Sequence, residues 1–357
     1  MVHAPPRAPA GAPPIRVNLY SDTQTRPTAA MKQAMLAAEV GDEQAGLDPT
    51  IDALCDRMAA LLGTEAAMFL PSGTMCNRVA LLTHCRPGDG VLAHETAHIL
   101  SAEGGGAAAL GGVQITPLSG ARGQFDVATL EAALLPRSRY AVAQTLVAVE
   151  QTSNLGGGAV WPLDQLRAVA DWAHAHGMAT HMDGARLFNA VVASGVPAAE
   201  MAAGYDSVWL DFTKGLGAPL GAVLCGSAEF IDRAWVWKQR LGGALRQGGI
   251  CAAACLYALD HHVDRLAEDH ANAAALARAL GQIEGLAVEA PETNLVFFDT
   301  RGTGLRAADL AARLRDVGVL VSAMGTWRAR ACTHLDVDRA QVEAAAAAVR
   351  DVLAGRR

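Results

Sequence analysis

From residue 66 to residue 225 the chain alternates short apolar runs with amphipathic stretches, and this alternation restricts its possible folds more than any other feature. The runs at 66–70, 91–93, 114–117, 146–149, 179–182, 207–212 and 222–225 read as strands. Helical patterns follow Ser72, Asp126 and Pro162. Asp48-Pro49 opens an earlier helix that runs to Gly63, with Asp as the cap and Pro in the first turn. Strands separated by helices in this way predict an α/β domain with a mainly parallel sheet.

From about residue 246 an Ala/Leu-rich pattern predicts one long helix to about residue 283. Strands at 293–299, 320–323 and 331–335 follow, with helices at 307–317 and from Arg339, which together read as a smaller α+β domain. The expected organisation is an Ala/Pro-rich disordered tail at 1–15, a large domain at 16–258 and a small C-terminal domain at 259–357. The tail lacks the compact apolar stretch of a signal peptide. No run of about eighteen apolar residues escapes charge or glycine, so no membrane span is expected. A net charge of −7 without a basic run argues against nucleic acid as a partner. Seven cysteines without paired spacing fit a reducing, cytoplasmic setting better than a disulfide framework.

Of the 29 basic residues only three are lysines, Lys32, Lys214 and Lys238. Lys214 follows the apolar run at 207–212 and precedes a glycine-rich turn. Burial destabilises an ammonium there, and the freed amine can attack a carbonyl near neutral pH. Taken alone, Lys214 reads more readily as a lysine reaching out to water. Ser72-Gly73-Thr74 lies between a strand and a helix, where backbone N–H groups and the helix dipole suit a phosphate; the same triplet is also an ordinary N-cap turn. His98 offers a ring that can lie on a planar cofactor, or it is a plain surface or core histidine. Asp183 stands at the C-terminal end of a strand, where open α/β sheets bind ligands. A carboxylate there can keep a pyridine nitrogen protonated, or merely cap the next helix. Arg186 offers a fork suited to a carboxylate or phenolate oxygen. Phosphate turn, histidine, strand-end Asp and strand-end Lys follow one another in the order that a pyridoxal phosphate site in an aspartate-aminotransferase-like fold requires.

Longer motifs sharpen this reading: Ser21-Asp-Thr-Gln-Thr-Arg-Pro-Thr28, Leu47-Asp-Pro-Thr50, Pro71-Ser-Gly-Thr74, Glu103-Gly-Gly-Gly-Ala-Ala, Asp183-Gly-Ala-Arg186-Leu-Phe-Asn189, Thr213-Lys-Gly-Leu-Gly-Ala-Pro219, Gly242-Gly-Ala-Leu-Arg246-Gln247 and Arg330-Ala-Cys-Thr-His-Leu-Asp-Val337. On these, residues 16–350 resemble the low-specificity L-threonine aldolase family. The resemblance implies the type I fold of pyridoxal-phosphate-dependent transferases, with a mainly parallel seven-stranded sheet in the large domain. It implies retro-aldol cleavage of L-β-hydroxy-α-amino acids to glycine and an aldehyde. Lys214 would hold pyridoxal 5'-phosphate as a Schiff base, Asp183 would pair with its ring nitrogen and His98 would stack on the ring. Ser72, Gly73 and Thr74 would bind the phosphate, helped by Arg246 from a neighbouring subunit. Ser21, Arg186 and Arg330 would take the substrate carboxylate. The family's usual assembly implies a homotetramer with shared active sites.

Three positions depart from the family pattern. Ala45 stands where a tyrosine is common. An ungapped count back from Glu150 puts Tyr140 where a histidine near the substrate hydroxyl is usual. A family lysine of the phosphate site falls at Gln239, leaving Lys238 or Arg240 to replace it. The first two changes predict a preference for bulkier substrates such as phenylserine. The base that takes the hydroxyl proton stays open among His98, Tyr140 and a water. A β-eliminating lyase or racemase of the same fold is the alternative activity. A metal-dependent lyase built on His261, His262 and His270 with Asp264 or Asp269 is disfavoured, because those positions face partly different sides of a helix.

Overall fold

The computed structural model describes Gly11 and residues 13–355, so most of the predicted tail falls outside the described residues. Two compact units emerge, Pro27–Val263 and a terminal unit that joins the segment ending at Arg26 to the chain from Asp264 onward. The amino segment was expected in the large domain. It falls in the other unit because Val17–Asn18 pairs in parallel with Val319–Leu320.

Apart from short 3-10 turns, the chain opens with β1 (Val17–Asn18), α1 (Ala29–Leu36), α2 (Pro49–Leu62), β2 (Ala66–Leu70) and α3 (Gly73–His84). Next come β3 (Gly90–His94), α4 (His98–Ser101), α5 (Gly106–Gly111), β4 (Gln114–Leu118), α6 (Val127–Ala133) and β5 (Gln144–Glu150). The larger unit continues through α7 (Leu163–Ala175), β6 (Ala179–Gly184), α8 (Leu187–Ser194), α9 (Ala198–Ala202), β7 (Ser207–Asp211), β8 (Ala222–Gly226), α10 (Ala228–Arg240) and α11 (Gly249–His261). The terminal unit then adds α12 (Leu266–Leu280), β9 (Ala287–Val288), β10 (Leu295–Asp299) and α13 (Ala307–Asp316). It closes with β11 (Val319–Leu320), β12 (Ser322–Ala323), β13 (Arg328–Cys332) and α14 (Arg339–Leu353).

The seven-stranded sheet of the larger unit has the order β2-β8-β7-β6-β5-β3-β4, and only β8 runs against the rest. This is the mainly parallel sheet expected from the alternation. Strands β3, β7 and β8 are buried along their whole length, as strands covered on both faces must be. Parallel running brings the carboxyl ends of β5, β6 and β7, at Glu150, Gly184 and Asp211, to one edge. The turn from β2 into α3 opens on that same edge. In the terminal unit an antiparallel sheet, β12-β13-β10-β9, packs its apolar side in a core with Leu276, Phe298, Leu310 and Val349.

The single long helix expected from residue 246 is instead α11 and α12. Helical propensity is continuous there, but His262 turns its ring Nδ1 onto the carbonyl of Leu216 (2.6 Å) and the first helix stops. All seven cysteines are free thiols. Among the described residues no helix is long and apolar enough to cross a membrane.

Asp48 shows how local and distant order are joined. It is fully buried, caps α2 through the Ile51 N–H (3.1 Å), and also accepts N–H groups from Gly249 (2.9 Å) and Gly41 (3.3 Å). Asp48→Ala strands these donors, and we expect a loss of about 2 kcal/mol, or roughly 4–8 °C in melting temperature. Asp48→Asn keeps one acceptor where the wild type uses both oxygens, Oδ1 for Ile51 and Oδ2 for Gly249 and Gly41, and should recover only part of that loss. An alanine variant that melts with the wild type would contradict this role.

Candidate active site

Asp183 is the last residue but one of β6, beside Glu150 of β5, its register partner. The carboxylate is buried; Oδ2 accepts the Asn77 Nδ2–H (2.9 Å) and Oδ1 accepts the Ala185 N–H (3.0 Å). Burial, and after it the charge of Glu150, push the Asp183 carboxyl up to about 7, against the pull of His98, Asn77 and Lys214. Gly184 follows because no side chain fits: a Cβ would lie 2.2 Å from the carbonyl oxygen of Trp209.

His98 opens α4 and is held at both backbone and ring. Its N–H donates to Glu150 Oε2 (2.9 Å), and its ring Nδ1 meets Glu103 Oε1 (2.8 Å). Burial alone would lower the imidazole, but the hydrogen bond to Glu103 and the carboxylates of Asp183 and Glu150 raise it above the ordinary histidine value. Glu103 is itself paired with Arg78, whose Nη2 lies 2.9 Å from Oε2 and donates to the Glu103 carbonyl (2.6 Å). Gly106 makes room for that guanidinium: a Cβ there would sit 2.2 Å from Arg78 Cζ. His98, Glu103 and Asp183 converge with polar atoms within 4.8 Å of one another.

Lys214 lies three residues past the end of β7, with 17% of its side chain exposed. Its ammonium pairs with Asp211, and it stands 5.6 Å from the centre of the Trp209 ring. Asp211 also caps the turn by accepting the Thr213 N–H (3.0 Å) and hydroxyl (2.8 Å). The same Trp209 ring explains Gly73. A Cβ on Gly73 would lie 2.1 Å from the indole, so α3 can begin there only with glycine. Ser72 caps α3 by accepting the Met75 N–H (3.3 Å), which leaves the N–H groups of the first turn, those of Gly73 and Thr74, directed out of the helix start.

Arg186 is buried at the N-cap of α8, three residues beyond Asp183. Arg246 is 60% exposed, paired with Asp42 (2.8 Å), on a turn packed so closely that a Cβ on Gly243 would lie 2.3 Å from Met75 Sδ. In the terminal unit Arg330 reaches the residue before Ser21: the Tyr20 carbonyl accepts from Arg330 Nη2 (3.1 Å) and from Ser322 Oγ (2.8 Å).

Tyr140 is not brought to this site. It precedes the amino end of β5, at the sheet edge opposite Glu150, with 86% of its surface exposed. Lys238 does not stand in for a phosphate lysine either, since it is fully buried, ion-paired with Glu43 and 4.3 Å from the Trp235 ring centre. The guanidinium of Arg240 lies on Trp237, 4.6 Å from its centre. His261 packs on Tyr257 (4.4 Å between centres) while His262 bonds Leu216, and among the described residues they form no ligand group with His270.

Asn77, Glu103, Glu150, Asp211 and Trp209 are site residues that the sequence reading did not assign. Asn77 carried a signal, because it sits four residues after Gly73 and so shares its helix face. Each oxygen of Asp183 accepts one backbone or amide N–H, which leaves acceptor capacity for a third donor. A buried carboxylate for a pyridinium, a primary amine for an aldehyde and a helix start for a phosphate are the groups that pyridoxal 5'-phosphate needs, and the residues present fit it.

The family model described as beta-eliminating lyase matches residues 18–303. The low specificity L-threonine aldolase of Escherichia coli K12 is 41% identical over 339 residues, covering 95% of this chain and 99% of that protein. Low-specificity L-threonine aldolase 1 of Arabidopsis thaliana is 39% identical over 333 residues, covering 91% and 93%. Among solved structures, a threonine aldolase of Leishmania major superposes with a TM-score of 0.81 at 21% identity, covering 94% and 99%. The aspartate aminotransferase of Rhizobium meliloti superposes with a TM-score of 0.70 at 17% identity, covering 96% and 92%. At these identities the two structures speak for the fold.

A buried carboxyl raised to about 7 has a stability consequence. Between the ordinary carboxylate value near 4 and about 7, the unfolded chain has lost the proton that folded Asp183 keeps, so rising pH favours unfolding. The cost is absent below about 4 and complete above about 7. In protein stripped of cofactor, Asp183→Asn should therefore melt higher than wild type at pH 8, and the gap should close toward pH 4. A gap independent of pH would contradict the raised carboxyl.

Proposed function

The chain belongs to the beta-eliminating lyase family and, within it, to the low-specificity L-threonine aldolases, and on that footing we propose that it cleaves threonine and related L-β-hydroxy-α-amino acids reversibly to glycine and an aldehyde. Its cofactor is pyridoxal 5'-phosphate, which when bound supplies the electron sink for breaking Cα–Cβ. The observation that carries this reading is a single sheet edge that gathers a buried carboxylate, an imidazole and a lysine amine.

Lys214 supplies the amine that holds the cofactor aldehyde, and Asp211 takes up its ammonium when the amine is free. Asp183 would pair with the ring nitrogen. His98, positioned by Glu103 and Glu150, would stack on the ring. Ser72, Gly73 and Thr74 receive the phosphate, with Arg246 contributed across a subunit boundary of a homotetramer. Arg186 orients the substrate by its carboxylate; the matching roles of Ser21 and Arg330 rest on the family resemblance. Of the three candidate bases, His98 is the one tied into the site in its own chain. With Nδ1 committed to Glu103, its Nε2 is the atom that exchanges a proton with the substrate hydroxyl.

β-Elimination is the second reading, favoured by the description of the matching family model. The products separate the two: glycine with an aldehyde for aldol cleavage, a 2-oxo acid with ammonia for elimination. We expect glycine and acetaldehyde in equal amounts from threonine, and a 2-oxo acid as the main product would overturn the assignment. Lys214→Ala should bring turnover below about one thousandth of wild type; substantial residual turnover would remove the lysine from its role.

The preference for bulky substrates now rests on Ala45 alone, an exposed residue at the end of the turn Glu43–Ala45 whose first residue, Glu43, is buried. The expected outcome is a higher kcat/KM for phenylserine than for threonine. Equal or better efficiency on threonine would reject it.

A further inference from the structure

Behind Asp183 lies a line of buried polar side chains that the proposed chemistry does not use. Asn77 sits between two donors and two carboxylates. Its Oδ1 faces Trp209 Nε1 (2.7 Å) and His181 Nε2 (3.1 Å), while its Nδ2 faces Asp183 (2.9 Å) and Glu103 (2.7 Å). Indole N–H can only donate, so the Asn77 atom that it meets is the carbonyl oxygen. A flipped amide would point its oxygen at two carboxylates and its hydrogens at two donors, which fixes the orientation.

The remaining protons follow from that one. His181 Nε2 faces an acceptor and must carry a hydrogen. Burial, and then His84, push the His181 ring down to about 3, so it is neutral and its Nδ1 is bare. Nδ1 therefore accepts the hydroxyl proton of Ser207 (2.7 Å). Ser207 has no second proton, so His84 Nε2 must donate to it (2.8 Å). Burial lowers His84 to about 4, which keeps that ring neutral too, packed on Phe230 at the far end of α3.

We infer that His84, Ser207, His181 and Asn77 form a one-way chain of hydrogen-bond donors that ends on Asp183, which makes Asn77 and His181 positioning residues for the carboxylate facing the cofactor ring nitrogen. Each donor polarises the next, so the last N–H is strengthened just where burial and the charge of Glu150 work against an ionised carboxylate. Glu103 accepts the second Asn77 N–H (2.7 Å) and so shares the end of this chain with Asp183, while His98 is tied to it through Glu103; Glu150 and Lys214 are the other charged groups beside Asp183. The inference rests on the cofactor reading above and adds the residues that set the protonation of its ring-nitrogen partner.

The test uses holoenzyme loaded with pyridoxal 5'-phosphate labelled with nitrogen-15 in the ring, and reads the ring-nitrogen chemical shift at pH 7.5. Wild type should give the protonated-pyridine position. Asn77→Leu removes the last donor, and the proton should move toward Asp183 by roughly a tenfold to hundredfold change in the sharing equilibrium. His181→Leu should move the signal less and in the same direction. His181→Gln, whose amide can donate from the Nε2 position, should return it to the wild-type position, which a merely structural role does not require. Should Asn77→Leu fail to take up cofactor, the His181 pair decides the matter alone. Signals in the variants that superimpose on wild type, or a His181→Leu shift that glutamine does not reverse, would overturn the inference while leaving the cofactor reading intact. Wild-type protein with no bound-cofactor resonance would overturn both.

Discussion

A buried carboxylate is the constraint around which this site is built. Asp183 stands among acids: Glu150 is its strand neighbour and Glu103 shares its amide donor. Three carboxylates this close would repel one another past use if each lacked its own partners. Glu103 is tied to Arg78 and to the His98 ring. Glu150 spends its two oxygens on the N–H groups of Asn154 (2.7 Å) and His98 (2.9 Å). Asp183 is left with two neutral donors and room for a third, the arrangement expected of a group that waits for a cation to arrive with its ligand.

The parallel sheet makes that arrangement possible. Strands that run the same way deliver their carboxyl ends to one edge, so residues far apart in sequence meet as neighbours. Trp209 then ties the edge together, since its indole limits Gly73, orients Asn77 and sits beside Lys214, while its backbone carbonyl backs Gly184. A change at Trp209 would be felt by the phosphate turn, the ring-nitrogen partner and the lysine at once.

Much of this was legible in the chain. Alternating apolar runs marked the sheet, and the order of Ser72-Gly73-Thr74, His98, Asp183 and Lys214 pointed to pyridoxal phosphate. What stayed hidden depended on contacts that no local pattern records. The pairing of Val17–Asn18 with Val319–Leu320 joins the two ends of the chain, so the amino segment could not be assigned to its unit from its own residues. The break between α11 and α12 lies in continuous helical sequence and arises from one ring reaching the Leu216 carbonyl. Tyr140 was placed by counting along the chain, and a strand converts ten residues of separation into the full depth of the sheet. Asn77 and Trp209 look like ordinary core residues until their partners are known.

The scarcity of lysine permits a direct test. Lys238 is buried against Glu43 and Lys32 belongs to α1, so Lys214 is the amine at the sheet edge. Borohydride treatment of the holoenzyme, followed by peptide mass mapping, would fix the reduced cofactor to whichever lysine holds it. A single labelled peptide, carrying the added mass at Lys214, is the expected result. Label on Lys32 or Lys238, or none on any peptide, would contradict it.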